Sequence, residues 1–319
     1  MELFDSKISV LNDNSKPSDF INLQNKFPEY DSSYVFNASA SSRRKFILKA
    51  YEMCKEYLDE DFCKEIRKPG KFIDRLWELQ ICLVLLLNNY KIIKRCSGNN
   101  FARPDFCVAG KDGSKIWIEA VCVGPDKNRY ISDKPDLEPG VVYSKTRNIM
   151  DSLKKTTPRL TSSVREKYFF KLPKYIKNPE FDKEKDKFIV ALNTHKIDHE
   201  MTGYMPEELM LYGMGLQYVK QTGESERYFH WCIETEKEKN KSTLIDVALF
   251  HREEYKPLSA VFASNQWFDF SSDVSEVLGK SIQIYFNHRA LRPLGHDEFS
   301  FGIKKYMACD DEFCRLLEK

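Results

Sequence analysis

Pro104-Asp105-Phe106-Cys107-Val108-Ala109-Gly110-Lys111-Asp112-Gly113-Ser114-Lys115-Ile116-Trp117-Ile118-Glu119-Ala120-Val121 is the stretch that decides how this chain folds. Two short apolar runs flank Ala109 to Lys115, where Asp112-Gly113 is a hairpin signal because both turn residues must accept positive φ. Folding the chain there predicts an antiparallel strand pair with Asp105 nearly opposite Glu119. Directly opposed residues in such a pair hold their Cβ atoms roughly 5 Å apart. That spacing suits two carboxylates sharing one hard divalent cation.

Working outward, the elements alternate. Residues 1 to about 40 are rich in Asn, Asp and Ser and predict an arm or capping segment, leaving 41–319 as a single enlarged domain with its core motifs in 72–193. Phe46-Ile47, Ala50-Tyr51, Cys54 and Tyr57-Leu58 have helical spacing after a Ser41-Ser42 start. A second helix over 72–88 is apolar on nearly every side and therefore predicted to lie between layers. Strand patterns follow at Lys91 to Arg95, Asp105 to Val108, Lys115 to Val123, Phe188 to Asn193, Leu244 to Phe250, Leu258 to Ser264 and Ile282 to Asn287. Gly124 to Gly140 reads as a long loop suited to a site rim. Asn178 to Lys187 and Glu234 to Lys241 read as charged turns. This order argues α/β or α+β with a mixed sheet.

The hairpin with its two acids resembles the metal-binding core of the PD-(D/E)XK nuclease superfamily, which includes many restriction endonucleases and repair nucleases. The resemblance implies a restriction-endonuclease-like core, a mixed central sheet flanked by helices, and phosphodiester cleavage with magnesium, or manganese in its place. Asp105 and Glu119 would be the metal ligands. It also implies a nucleic-acid partner, DNA ahead of RNA, with a homodimer open and restriction or phage defence as the superfamily's usual setting. The superfamily pattern ends in Lys two residues after the second acid, and Val121 stands there instead. Residues 119 and 121 share a strand face, so that slot is apolar: either another lysine fills the role, or the domain is a catalytically inactive one that binds nucleic acid or a protein partner.

Arg75-Leu76-Trp77-Glu78, Pro104-Asp105-Phe106, Ile116 to Val121, Arg159-Leu160-Thr161-Ser162 with Lys167, Ile189 to Asn193, and Phe286-Asn287-His288-Arg289-Ala290 with Pro293-Leu294 together resemble an uncharacterised bacterial family of nuclease-like proteins. In the superfamily the helix before the Asp strand often supplies a further acid, and Glu78 is placed for it. The other reading of Glu78 is an ion pair with Arg75 at i, i+3.

The missing cation has a candidate downstream. Thr157-Pro158 predicts a helix start, with Pro173 at the other end. Leu160, Val164 and Tyr168 form a core-facing stripe, and Arg159, Ser163 and Lys167 the adjacent one. Lys154 to Lys177 carries eight Lys or Arg against Glu166 alone, a local charge of +7 in 24 residues and a candidate phosphate-binding face. Lys167 is the lysine that takes the vacant role, stabilising negative charge at the scissile phosphate, with Arg159, Ser163 and Lys171 contacting substrate.

Composition excludes other classes. Fifty Lys and Arg against 48 Asp and Glu give a net charge of +2 over 319 residues, so any nucleic-acid surface is local. Nine scattered cysteines without a Cys-x-x-Cys pair predict reduced thiols in a cytoplasmic protein. No signal peptide or membrane span is indicated. No phosphate-binding loop of the Gly-Lys-Ser/Thr kind occurs, so ATP dependence has no support. His195 and His199 are spaced i, i+4 but follow a strand, and Cys309 and Cys314 lie in a charged tail without ligand spacing. Trp117 shares the face of Glu119, where an aromatic is usually core.

Overall fold

The computed structural model describes residues 3–4, 40–68, 70–94, 101–124, 149–195, 197, 203–219, 224–238, 241–266, 279–309 and 314–319. The rim loop expected over 124–140, apart from Gly124, lies outside these residues, as does His199.

The expected hairpin forms from β1 (Phe106–Ala109) and β2 (Lys115–Cys122), antiparallel with Phe106 against Ile118 and Ala109 against Lys115. Its turn differs from the two-residue kind predicted. Only Gly113 takes positive φ, at 81°. The Asp112 side chain accepts instead from the Ser114 amide at 3.1 Å and hydroxyl at 2.6 Å, and pairs with the buried Lys187 ammonium at the start of the next strand. That clamp ties the turn to β3 (Lys187–Asn193), which runs parallel to β2.

The sheet is mixed and seven-stranded, in the order β1-β2-β3-β8-β9-β10-β11, completed by β8 (Leu258–Ser264), β9 (Gln283–Phe286), β10 (Ile303–Cys309) and β11 (Cys314–Glu318). Helices cover both faces, as the mixed α/β reading requires. Alternation splits β2 cleanly. Ile116, Ile118 and Ala120 enter one core beneath α1 (Ala40–Cys54), α2 (Phe62–Glu65) and α3 (Phe72–Leu87). Trp117, Val121 and Val123 enter the other, beneath α4 (Ile149–Glu166), α5 (Leu172–Tyr175) and α6 (Met205–Tyr212). α3 is as buried as its all-round apolar pattern demands, and its Trp77 indole satisfies itself on the Ala191 carbonyl at 2.9 Å. The arm's Leu3 and Phe4 are buried, with Arg67 donating to the Leu3 carbonyl at 3.3 Å.

Several expectations are corrected. Pro158 lies inside α4 rather than at its start. A proline there costs about 3 kcal/mol, and burial of Leu153, Thr156, Leu160 and Val164 on both sides of it holds the helix together. Thr157 caps nothing: it is buried and its hydroxyl has no hydrogen-bond partner among the described residues. Pro173 ends no helix either. Glu234 to Lys241 is largely strand: β6 (Cys232–Glu238) pairs with β7 (Lys241–Asp246), beside a second hairpin of β4 (Met214–Val219) and β5 (Glu224–Phe229). The charged C-terminal tail is the β10–β11 hairpin, with Cys309 opposite Cys314. Of the strand expected over Lys91 to Arg95, the described residues, to Lys94, form a bridge from Ile92 to Val108, and Arg95 lies outside them. Leu244 to Phe250 splits into the end of β7 and a 3₁₀ turn from Leu249.

Candidate functional site

Carrying the hairpin register one residue past Phe106 and Ile118 sets Asp105 against Glu119. Asp105 Oδ2 accepts the Ala120 amide at 2.7 Å. Glu119 is buried at 4% exposure, yet both its oxygens are satisfied. Lys167 Nζ donates to Oε1 at 2.8 Å and the Tyr175 hydroxyl to Oε2 at 2.7 Å. The lysine chosen from the helix stripe thus reaches the second acid from across the crossover between β2 and β3. Val121, two residues after Glu119, packs against the hydrophobic core on that face.

Burial and like charge act together on these acids. Burial pushes the Asp105 carboxyl well up, and the neighbouring charges of Glu119 and Glu78 add to it, while the Ala120 amide and Lys167 oppose. Burial works against the Lys167 ammonium, but Glu119 and Asp105 outweigh it and its pKa rises. Glu78 is raised by burial despite its partner Arg75, 2.6 Å away. Of the two readings of Glu78, the structure shows the ion pair at i, i+3, and Glu119 adds its charge to the rise. Arg75 lies 3.7 Å from Asp59 as well.

Between α4 and α5 the helix widens into a π turn, Lys167–Lys171, with the Leu172 amide bonded to the Lys167 carbonyl. Pro173 supplies the cause. It has no amide to give residue 169 and its ring would strike that carbonyl in a regular helix; a five-residue turn removes the conflict. The consequence is angular. Residues eight apart in an α-helix stand about 80° apart around the axis, and one inserted residue turns the later one back by about 100°. Lys167 and Tyr175 are thereby brought to one side, onto one carboxylate. Tyr175 escapes a helix-stripe reading because that reading assumes regular spacing; Pro173 is the signal that could have revealed it.

Arg159, Ser163 and Lys171 remain part-exposed along the same helical run. Leu160, Val164 and Tyr168 are core. Trp117 is buried too, its indole donating to Asp186 at 2.9 Å. His195 sits beyond β3, its amide on Asn193 and its ring 3.3 Å from the Asn265 carbonyl.

Among the described residues no three His, Cys, Asp or Glu side chains converge as a metal cage. Magnesium needs none, since it keeps several waters and takes one or two carboxylates beside substrate phosphates. Asp105 and Glu119 fit that mode as two hard oxygen donors placed opposite one another across the hairpin. No protein-family model, curated protein or solved structure matches this chain.

Proposed function

We propose that this chain is a magnesium-dependent nuclease that hydrolyses phosphodiester bonds through a PD-(D/E)XK-type centre whose lysine has moved from strand to helix. The observation that carries this reading is the Lys167 ammonium 2.8 Å from Glu119, which itself stands across the hairpin from Asp105. Asp105 and Glu119 would hold the ion, and Glu78, restrained by Arg75, stands behind them as a third acid. A bound divalent ion supplies Lewis-acid activation of water and charge neutralisation at the phosphate. Lys167 places a fixed cation where charge develops on the phosphate oxygens, at no reorganisation cost during reaction. Tyr175 keeps Glu119 oriented. Arg159, Ser163 and Lys171 line the approach for the backbone phosphates, which sequence-independent binding requires. DNA is the first substrate to try, and restriction or phage defence the setting to test.

The test is cleavage of plasmid, single-stranded DNA and RNA with magnesium, manganese or EDTA. Asp105→Ala should abolish metal-dependent cleavage and leave the protein folded; full activity in that variant removes Asp105 from the centre. A second reading has one observation in its favour. Lys167 and Tyr175 already occupy both Glu119 oxygens, as they would in a nuclease-like domain that binds without cutting. Salt-sensitive binding with no cleavage in any metal would select it.

A further inference from the structure

The π turn that delivers Lys167 inward also turns two phenylalanines outward. Phe169 is 39% exposed, and Phe170, at 68%, is more exposed than any other phenylalanine or tryptophan among the described residues. Phe169 is propped against Tyr168 and Tyr255, with ring centroids 5.0 and 5.4 Å away, and the Arg165 guanidinium lies 5.8 Å from its centroid. Among the described residues Phe170 has no ring or cation contact of that kind. It is followed at once by Lys171 and, four residues on, by Lys174. An exposed ring costs hydration free energy, and a ring needed only for packing would be turned in with Tyr168.

We propose that Phe170 is a stacking platform for an unpaired base, which makes single-stranded nucleic acid the substrate class of the site; this rests on the nuclease reading above. Every base has a π-face, and aromatic stacking beside a cationic groove is how sequence-tolerant single-strand binding is built. The charge is complementary: the Arg165 guanidinium lies 5.8 Å from the Phe169 ring centroid, and the segment 154–177 that carries both rings has a net charge of +7. Phe170 also belongs to the same five-residue turn as Lys167, Lys167–Lys171. A duplex offers no such contact, because its base faces are already stacked on one another and must be opened at a cost.

The experiment measures anisotropy of a labelled short single strand and of its duplex, in EDTA so that nothing is cut, against wild type, Phe170→Ala and Phe170→Trp. Single-strand affinity should fall about tenfold in Phe170→Ala, hold in Phe170→Trp, and change little for duplex in either. Equal single-strand affinity in wild type and Phe170→Ala overturns the proposal while leaving the nuclease reading intact. So does loss of a homodimer in Phe170→Ala with unchanged affinity, which would make a second copy the occupant of the ring. A wild type that binds no single strand also overturns the stacking proposal, while the nuclease reading is decided separately by cleavage with magnesium.

Discussion

Two buried glutamates in this molecule meet opposite fates. Glu119 on β2 and Glu207 on α6 are 4% and 0% exposed. Glu119 lies between an ammonium and a phenol, so its charge is met on both oxygens. Glu207 takes the Thr194 hydroxyl at 3.1 Å, and burial pushes its pKa up to about 8. One acid is held by two donors beside the hairpin; the other is buried with its carboxyl pKa raised. Burial alone therefore does not mark a functional carboxylate. What Glu119 has beside it is an ammonium, Lys167 Nζ at 2.8 Å.

The comparison breaks most visibly at Lys167. Lys167→Met strands Glu119 and should cost about 3–5 kcal/mol in urea unfolding at neutral pH, the usual loss when one partner of a buried pair is removed. An unchanged midpoint would mean that Glu119 does not depend on its ammonium. Glu207 gives the opposite sign. Its folded pKa, about 8, stands above the ordinary 4.5, so the folded protein binds the extra proton between these values. This group's contribution to stability is then fully present below about pH 4.5 and lost as pH rises toward about 8. Glu207→Gln should remove that decline and gain on the order of 2 kcal/mol above pH 8; a variant that follows the wild-type pH curve would contradict it. Tyr175→Phe keeps the ring and loses one charge-assisted hydrogen bond, worth about 1.5–3 kcal/mol, and should slow cleavage while preserving the fold by circular dichroism. Smallest is Pro173→Ala. It gives residue 173 an amide and allows the regular helix to return, so cleavage should fall with little change in unfolding midpoint, and a rate equal to wild type would show that the π turn does not depend on the proline.

The same contrast explains what the sequence made legible. Strong local patterns carried through: the apolar helix Phe72–Leu87, the strand Leu258–Ser264, and the hairpin about Asp112 all depend on neighbours in sequence. Lys167 was legible because a regular stripe runs up to it from Arg159. Tyr175 was not, because the π turn breaks the regularity that stripes assume. Helix α6 had its signals, Pro206 in the first turn and Gly213 at φ 74° past the end, in a stretch short enough to pass for a loop. The charged hairpins β6–β7 and β10–β11 lack apolar alternation, so their pairing is fixed by tertiary context and not by pattern. Pro158 misled for a related reason, since proline biases a helix boundary and packing on either side can override it.

The central claim is that the catalytic lysine has moved from the position of Val121 to Lys167, and a relocation experiment tests it directly. Metal-dependent cleavage is compared in wild type, Lys167→Ala, and the double variant Val121→Lys with Lys167→Ala. The account predicts a loss of about 100-fold or more in the single variant and partial recovery when a lysine is restored on the Glu119 face of β2. Wild-type cleavage by Lys167→Ala would contradict it.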